Sequence, residues 1–94
     1  MKIFVQIASY RDPELEKTVK DMIENAKKPN NLRIGICRQY HPEDGFDTLN
    51  DYRNDKRFRI LDVLYSDSKG VCWARNQVQQ LYGGEEYTLQ IDSH

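Results

Sequence analysis

The chain has 94 residues, 31% of them charged, and a formal net charge of −1. A chain this short makes one domain spanning 1–94 with a small core, burying only about two-thirds of its unfolded surface. The near-neutral balance gives no overall electrostatic case for nucleic acid or an anionic membrane surface. No stretch approaches the roughly 20 apolar residues of a membrane span, and Met1 to Ala8 is too short for a signal-peptide core plus cleavage site. The chain therefore reads as soluble, non-secreted and cytoplasmic.

Ile3 to Ala8 is apolar except for Gln6, the pattern of a strand covered on both faces. Asp12 and Pro13 read as an N-cap and first turn. Glu14 and Glu16 add negative charge there, and Leu15, Val19, Met22, Ile23 and Ala26 recur at helical spacing as far as Lys27 and Lys28. After Asn30 and Asn31, Leu32, Ile34 and Ile36 alternate with Arg33, Gly35 and Cys37 as a second strand. Tyr40 to Phe58 is polar, with anchors expected at Phe46, Leu49 and Tyr52, and reads as a long loop holding a short helix around Asp47 to Asn54.

A third strand is expected at Arg59 to Tyr65, a helix from Gly70 to Tyr82 ended by Gly83 and Gly84, and a buried fourth strand at Tyr87 to Ile91. Strands alternating with helices predict an α/β fold with a mainly parallel four-stranded sheet. If the fourth strand returns beside the first, the order is 3-2-1-4. The ligand crevice then lies between those two strands at their carboxyl ends.

Two polar segments meet there. Asp92 and His94 are two apart, so a strand presents both on one face, and a carboxylate oxygen with an imidazole nitrogen suits manganese or a similar divalent ion, whose usual cargo is a diphosphate. A solvated chain end would carry the same residues, and the dipeptide pattern alone does not separate the two. At the end of the first strand, Ala8-Ser9-Tyr10-Arg11-Asp12 runs into a helix start, which favours an anion. Tyr10 would cover a base, and Arg11 would meet a phosphate or base edge. Arg75 lies one turn after Val71, where a guanidinium needs an anion, a carboxylate or a ligand. Trp73 reads as packing. Cys37 and Cys72 show no Cys-x-x-Cys spacing and read as reduced, part-buried thiols.

Ile7 to Asp12 (Ile-Ala-Ser-Tyr-Arg-Asp), Cys72 to Arg75 (Cys-Trp-Ala-Arg) and Gln90 to His94 (Gln-Ile-Asp-Ser-His) together resemble the N-terminal half of glycosyltransferases that include the cytoplasmic N-acetylglucosaminyltransferases acting on protein hydroxyproline. The Asp-Ser-His motif is also similar to that of polypeptide N-acetylgalactosaminyltransferases. The resemblance spans essentially the whole chain. It implies the Rossmann-like nucleotide-diphosphate-sugar-binding half of a GT-A fold, with UDP-N-acetylglucosamine as donor and an acceptor hydroxyl as the second substrate. Asp92 and His94 would hold manganese against the diphosphate, Ser9 to Arg11 would line the uridine pocket, Arg75 would reach the donor, and Ala8 and Asp92 join these as donor-binding residues. Gln39 stands where many members of this fold place a uracil-reading Asp.

Proteins of this fold usually continue past the corresponding point, so the expectation is a donor-binding fragment without transfer activity of its own and with no assigned catalytic residue. A sheet edge left open by truncation would favour self-association. Two rivals remain: a non-catalytic nucleotide-binding or interaction module of the same fold, and a structural domain that binds nothing.

Overall fold

The computed structural model describes residues 2–46, 48–85 and 87–93, with backbone alone at Val71, Cys72, Asp92 and Ser93. The strands are β1 (Ile3–Tyr10), β2 (Leu32–Tyr40), β3 (Phe58–Leu64) and β4 (Tyr87–Ser93); the helices are α1 (Leu15–Asn25) and α2 (Val71–Gln79). The strands pair in the order β3-β2-β1-β4, all parallel, as the alternation of elements predicts.

Alternation along the strands sends side chains to two separate cores. On one face, Val5, Ile7, Leu32, Ile34, Ile36 and Phe58 close against Leu15 and Val19 of α1. On the other, Phe4, Ala8 and Cys37 meet Ala74 and Val78 of α2, with Trp73 packed at the margin as expected. Each fully buried aliphatic or Phe side chain contributes about 1.5–3 kcal/mol. The chain steps outward from β1 to β2 to β3 and then reverses to β4. For parallel strands joined by crossovers of one hand, that reversal moves the connection to the opposite face, which is where α2 lies.

Three local features depart from expectation. Asp12 is not the N-cap: its Oδ1 accepts the Glu14 N–H at 2.9 Å, and α1 starts two residues beyond Pro13, after Glu14. The short carboxylate bonds its own backbone two residues on, an Asx-type turn that delays the helix.

Residues 41–46 and 48–57 form turns and irregular backbone rather than a short helix, with Tyr52 N–H bonded to Leu49 O at 2.9 Å and Asp55 N–H to Tyr52 O at 3.0 Å. Leu49 is the buried anchor at φ 58°, while Phe46 is exposed. A leucine in the left-handed region costs about 1–2 kcal/mol. Burial of its side chain and a hydrogen bond from its N–H to Glu16 Oε1 at 2.8 Å offset that cost.

The third departure is at β4. Tyr87 and Leu89 are 58% and 52% exposed, so the strand is not buried as expected, although it holds the edge position that the order 3-2-1-4 gives it. It also runs past Ile91, so Asp92 and Ser93 are strand residues in register with Ala8 and Ser9.

Candidate functional site

The carboxyl ends of β1 and β4 lie side by side, and strand order reverses between them. Parallel sheets open a ligand crevice at this position because the connections leave in opposite directions. Ala8 is part of the apolar core beneath α2, so its role at the crevice is limited to backbone and packing. Ser9 is fully buried, and its Oγ has no hydrogen-bond partner. Leaving a buried hydroxyl unsatisfied costs about 1–3 kcal/mol. Tyr10 is exposed at the mouth.

Arg11 turns the chain out of β1 at φ 45°, a left-handed conformation uncommon for a residue with a Cβ. Three contacts hold it there. Its N–H donates to Gln39 O at 2.8 Å, its Nε donates to Asp44 Oδ2 at 2.8 Å, and its guanidinium lies 5.6 Å from the Tyr65 ring centroid. His41 packs at a tilt against the same Tyr65 ring, centroids 4.6 Å apart. The hydrogen bond from Arg11 holds the Asp44 carboxyl below the usual carboxylate range. Segments following β1, β2 and β3 thus converge on one cation-and-aromatic cluster. Sequence reasoning found Arg11 but missed Asp44, His41 and Tyr65, because pairs separated by 24 or more positions leave no spacing signal.

Gln39 is buried and spans the three carboxyl ends: its Nε2 donates to Ser9 O at 2.9 Å, and its Oε1 accepts from Ser68 Oγ. Both halves of the amide are engaged within the chain, so presenting this residue to a base edge requires exchange of these bonds. Gln39→Ala is expected to cost about 1–3 kcal/mol, read from the urea midpoint. An unchanged midpoint would mean that the tie contributes nothing in solution.

Beside it, Asp62 accepts from Arg38 Nη1 at 2.9 Å and from Arg53 Nη1 and Nη2, both at 2.9 Å. Burial pushes the Asp62 carboxyl up, but the hydrogen bonds from Arg53 and Arg38 outweigh it and hold the group low.

Arg75 is half-buried on α2, whose first turn starts at the carboxyl edge behind Gly70. The Asp92 backbone is at the end of β4, and its side chain and all of His94 lie outside the described residues. So does the Cys72 side chain. Among the described residues, no group of three or more His, Cys, Asp or Glu is arranged to hold a metal. The Asp92 and His94 pair is compatible with manganese on the chemistry of its donors, one hard oxygen and one imidazole nitrogen. Cys37 is a free thiol, pushed up to about 11 by burial, and is chemically inert there. No helix among the described residues is long and apolar enough to cross a membrane.

A family model described as glycosyltransferase (GlcNAc) matches residues 2–56 and 45–94. No curated protein and no solved structure matches the chain.

Proposed function

The chain belongs to the glycosyltransferase (GlcNAc) family, and from that premise we propose that its crevice binds a UDP-sugar, UDP-N-acetylglucosamine, as the donor region of a GT-A type, metal-dependent transferase. The observation that carries this reading is the fully buried, unpartnered Ser9 hydroxyl at the point where strand order reverses. A donor hydroxyl or phosphate oxygen would supply its missing partner. Tyr10 covers the base, Arg11 exchanges Asp44 for an anionic or base-edge oxygen, and Arg75 reaches the donor from α2. Asp92 and His94 would hold manganese, which when bound neutralises charge on the departing diphosphate.

In the reaction proposed, an acceptor hydroxyl oxygen bonds to the anomeric carbon as the bond from that carbon to the diphosphate oxygen breaks. UDP leaves with the electron pair, and the acceptor proton goes to a base. At the crevice Asp44 is committed to Arg11, which supports reading residues 1–94 as a binding region with no turnover of its own. That observation equally favours the second reading, a non-catalytic nucleotide-binding module. Turnover on adding further family sequence distinguishes the enzyme from the module.

Protein hydroxyproline as acceptor and a cytoplasmic setting belong to the same proposal, as does self-association through the outer edge of β4, where Tyr87 and Leu89 are exposed. Sedimentation at increasing concentration tests the last.

The donor site is tested by calorimetry with UDP-N-acetylglucosamine, with and without manganese, on the chain and on an Asp92→Ala, His94→Ala double variant. Manganese-dependent binding is expected for the chain and its loss for the variant. Binding retained by the variant would remove these two residues from the site, and absence of any binding would sink the donor role of the crevice.

A further inference from the structure

Away from the carboxyl ends, on the α2 face, a groove of about 230 Å³ is lined by Gln6, Gln79, Tyr82 and Thr88. We propose that it binds a single neutral sugar ring. This inference stands apart from the donor reading: Thr88 pairs with Phe4 near the start of β1, and Gln6 is at mid-strand.

Gln6 is 6% exposed, between the core residues Phe4 and Ala8 on the same face of β1. Its amide makes no side-chain hydrogen bond among the described residues and presents a donor and an acceptor to the groove. A ligand offering both a hydroxyl donor and a hydroxyl acceptor matches that amide. Gln79 and Thr88, both exposed, extend the same chemistry to the rim.

Tyr82 supplies an aromatic wall. Its ring is 48% exposed, meets Phe4 edge-on at 5.7 Å, and is anchored by a hydrogen bond from its hydroxyl to Glu85 O. A ring fixed before binding loses little side-chain freedom on contact.

The lining chemistry selects the ligand class. Neither amide nor the Thr88 hydroxyl carries charge, which disfavours ions, and a purely apolar guest would strip these groups of water without replacing its hydrogen bonds. A sugar offers hydroxyls to the amides and a C–H face to the ring. The volume falls below the roughly 300–1,000 Å³ of drug-sized pockets, which suits one ring rather than an oligosaccharide or a nucleotide sugar.

The test is an amide NMR titration of the full chain with N-acetylglucosamine, without nucleotide or metal, and in parallel with glycerol. Saturable shifts are expected at the side-chain amides of Gln6 and Gln79 and the backbone amides of Tyr82 and Thr88. Gln79→Ala and Thr88→Val, both on the surface, should each weaken binding about threefold to tenfold. Gln6→Leu should abolish the shifts while its own backbone amide spectrum stays that of a folded chain, since the change removes the amide that faces the groove. Shifts that do not saturate, equal shifts with glycerol, shifts confined to the strand carboxyl ends, or unchanged binding by a folded Gln6→Leu variant would each overturn the proposal. Failure here leaves the UDP and manganese titration untouched.

Discussion

Gly35→Ala is expected to lower the melting midpoint by about 8–16 °C, corresponding to a loss of about 2 kcal/mol in a domain of this size. Gly35 is in central strand β2, and a Cβ built there would stand 2.6 Å from Phe4 Cζ and 2.8 Å from Phe4 Cε1. The phenyl ring has little freedom to retreat. It is fully buried, with Tyr82 against it at 5.7 Å and the Arg59 guanidinium 5.7 Å from its centroid. Overpacking of this kind costs about 1–3 kcal/mol, with contacts this short at the upper end. Replacing glycine in a strand opposes it by about 0.4–1 kcal/mol through the unfolded state, so the clash wins. A Phe4→Leu, Gly35→Ala double variant should be less destabilised than the sum of the two single changes, because the pair shares one space. A Gly35→Ala midpoint within 2 °C of wild type, or strict additivity of the pair, would show that the sheet yields at this point and that Phe4 is not pinned.

The strand order was legible because Ile3 to Ala8 and Leu32 to Ile36 are apolar enough to demand cover on both faces, and cover on both faces requires the reversal to β4. What was not legible depends on contacts that no short-range period encodes. The apolar run at Tyr87 to Ile91 reads the same whether or not an edge strand is covered, and here Tyr87 and Leu89 are exposed. Leu49 is held by Glu16, 33 positions away, and nothing in the local sequence marks a leucine with positive φ. At the crevice, Ser9 to Arg11 could be placed because they leave a strand and approach a helix. The Asp44 and Tyr65 contacts that set the pose of Arg11 come from other loops. Asp12 shows a related limit: capping and Asx turns use the same side chain, and the geometry of Pro13 and Glu14 decides between them.

The same cluster that pins Phe4 also controls how the chain passes from α2 into β4, and Glu85 is its charged center. The Glu85 side chain is only 2% exposed. It accepts from Arg59 Nη1 at 2.7 Å and from Gly83 N–H at 2.8 Å, while Arg59 Nη1 also donates to Leu81 O at 2.7 Å. Gly83 must remain small, since a Cβ there would fall 2.9 Å from Arg59 Nη2. Removing one partner of a buried pair costs about 3–5 kcal/mol because the other charge is stranded. Arg59 is 32% exposed and keeps Leu81 O, so Glu85→Ala is expected at the lower end, about 3 kcal/mol. Glu85→Gln retains the shape and should lose less.

Burial by itself pushes the Glu85 carboxyl up, but its backbone hydrogen bonds and the bond from Arg59 bring it below its ordinary value in the folded chain. A depressed folded value means that this stabilisation is complete above the unfolded glutamate range, near about 4.3. It is lost as pH falls through the folded value. Urea midpoints from pH 7 down to pH 3 should therefore decline in the wild type and decline less steeply in Glu85→Gln. Parallel pH profiles for the two chains would mean that Glu85 carries no linked proton. In that case the α2–β4 turn is held by Gly83, Leu81 and packing alone.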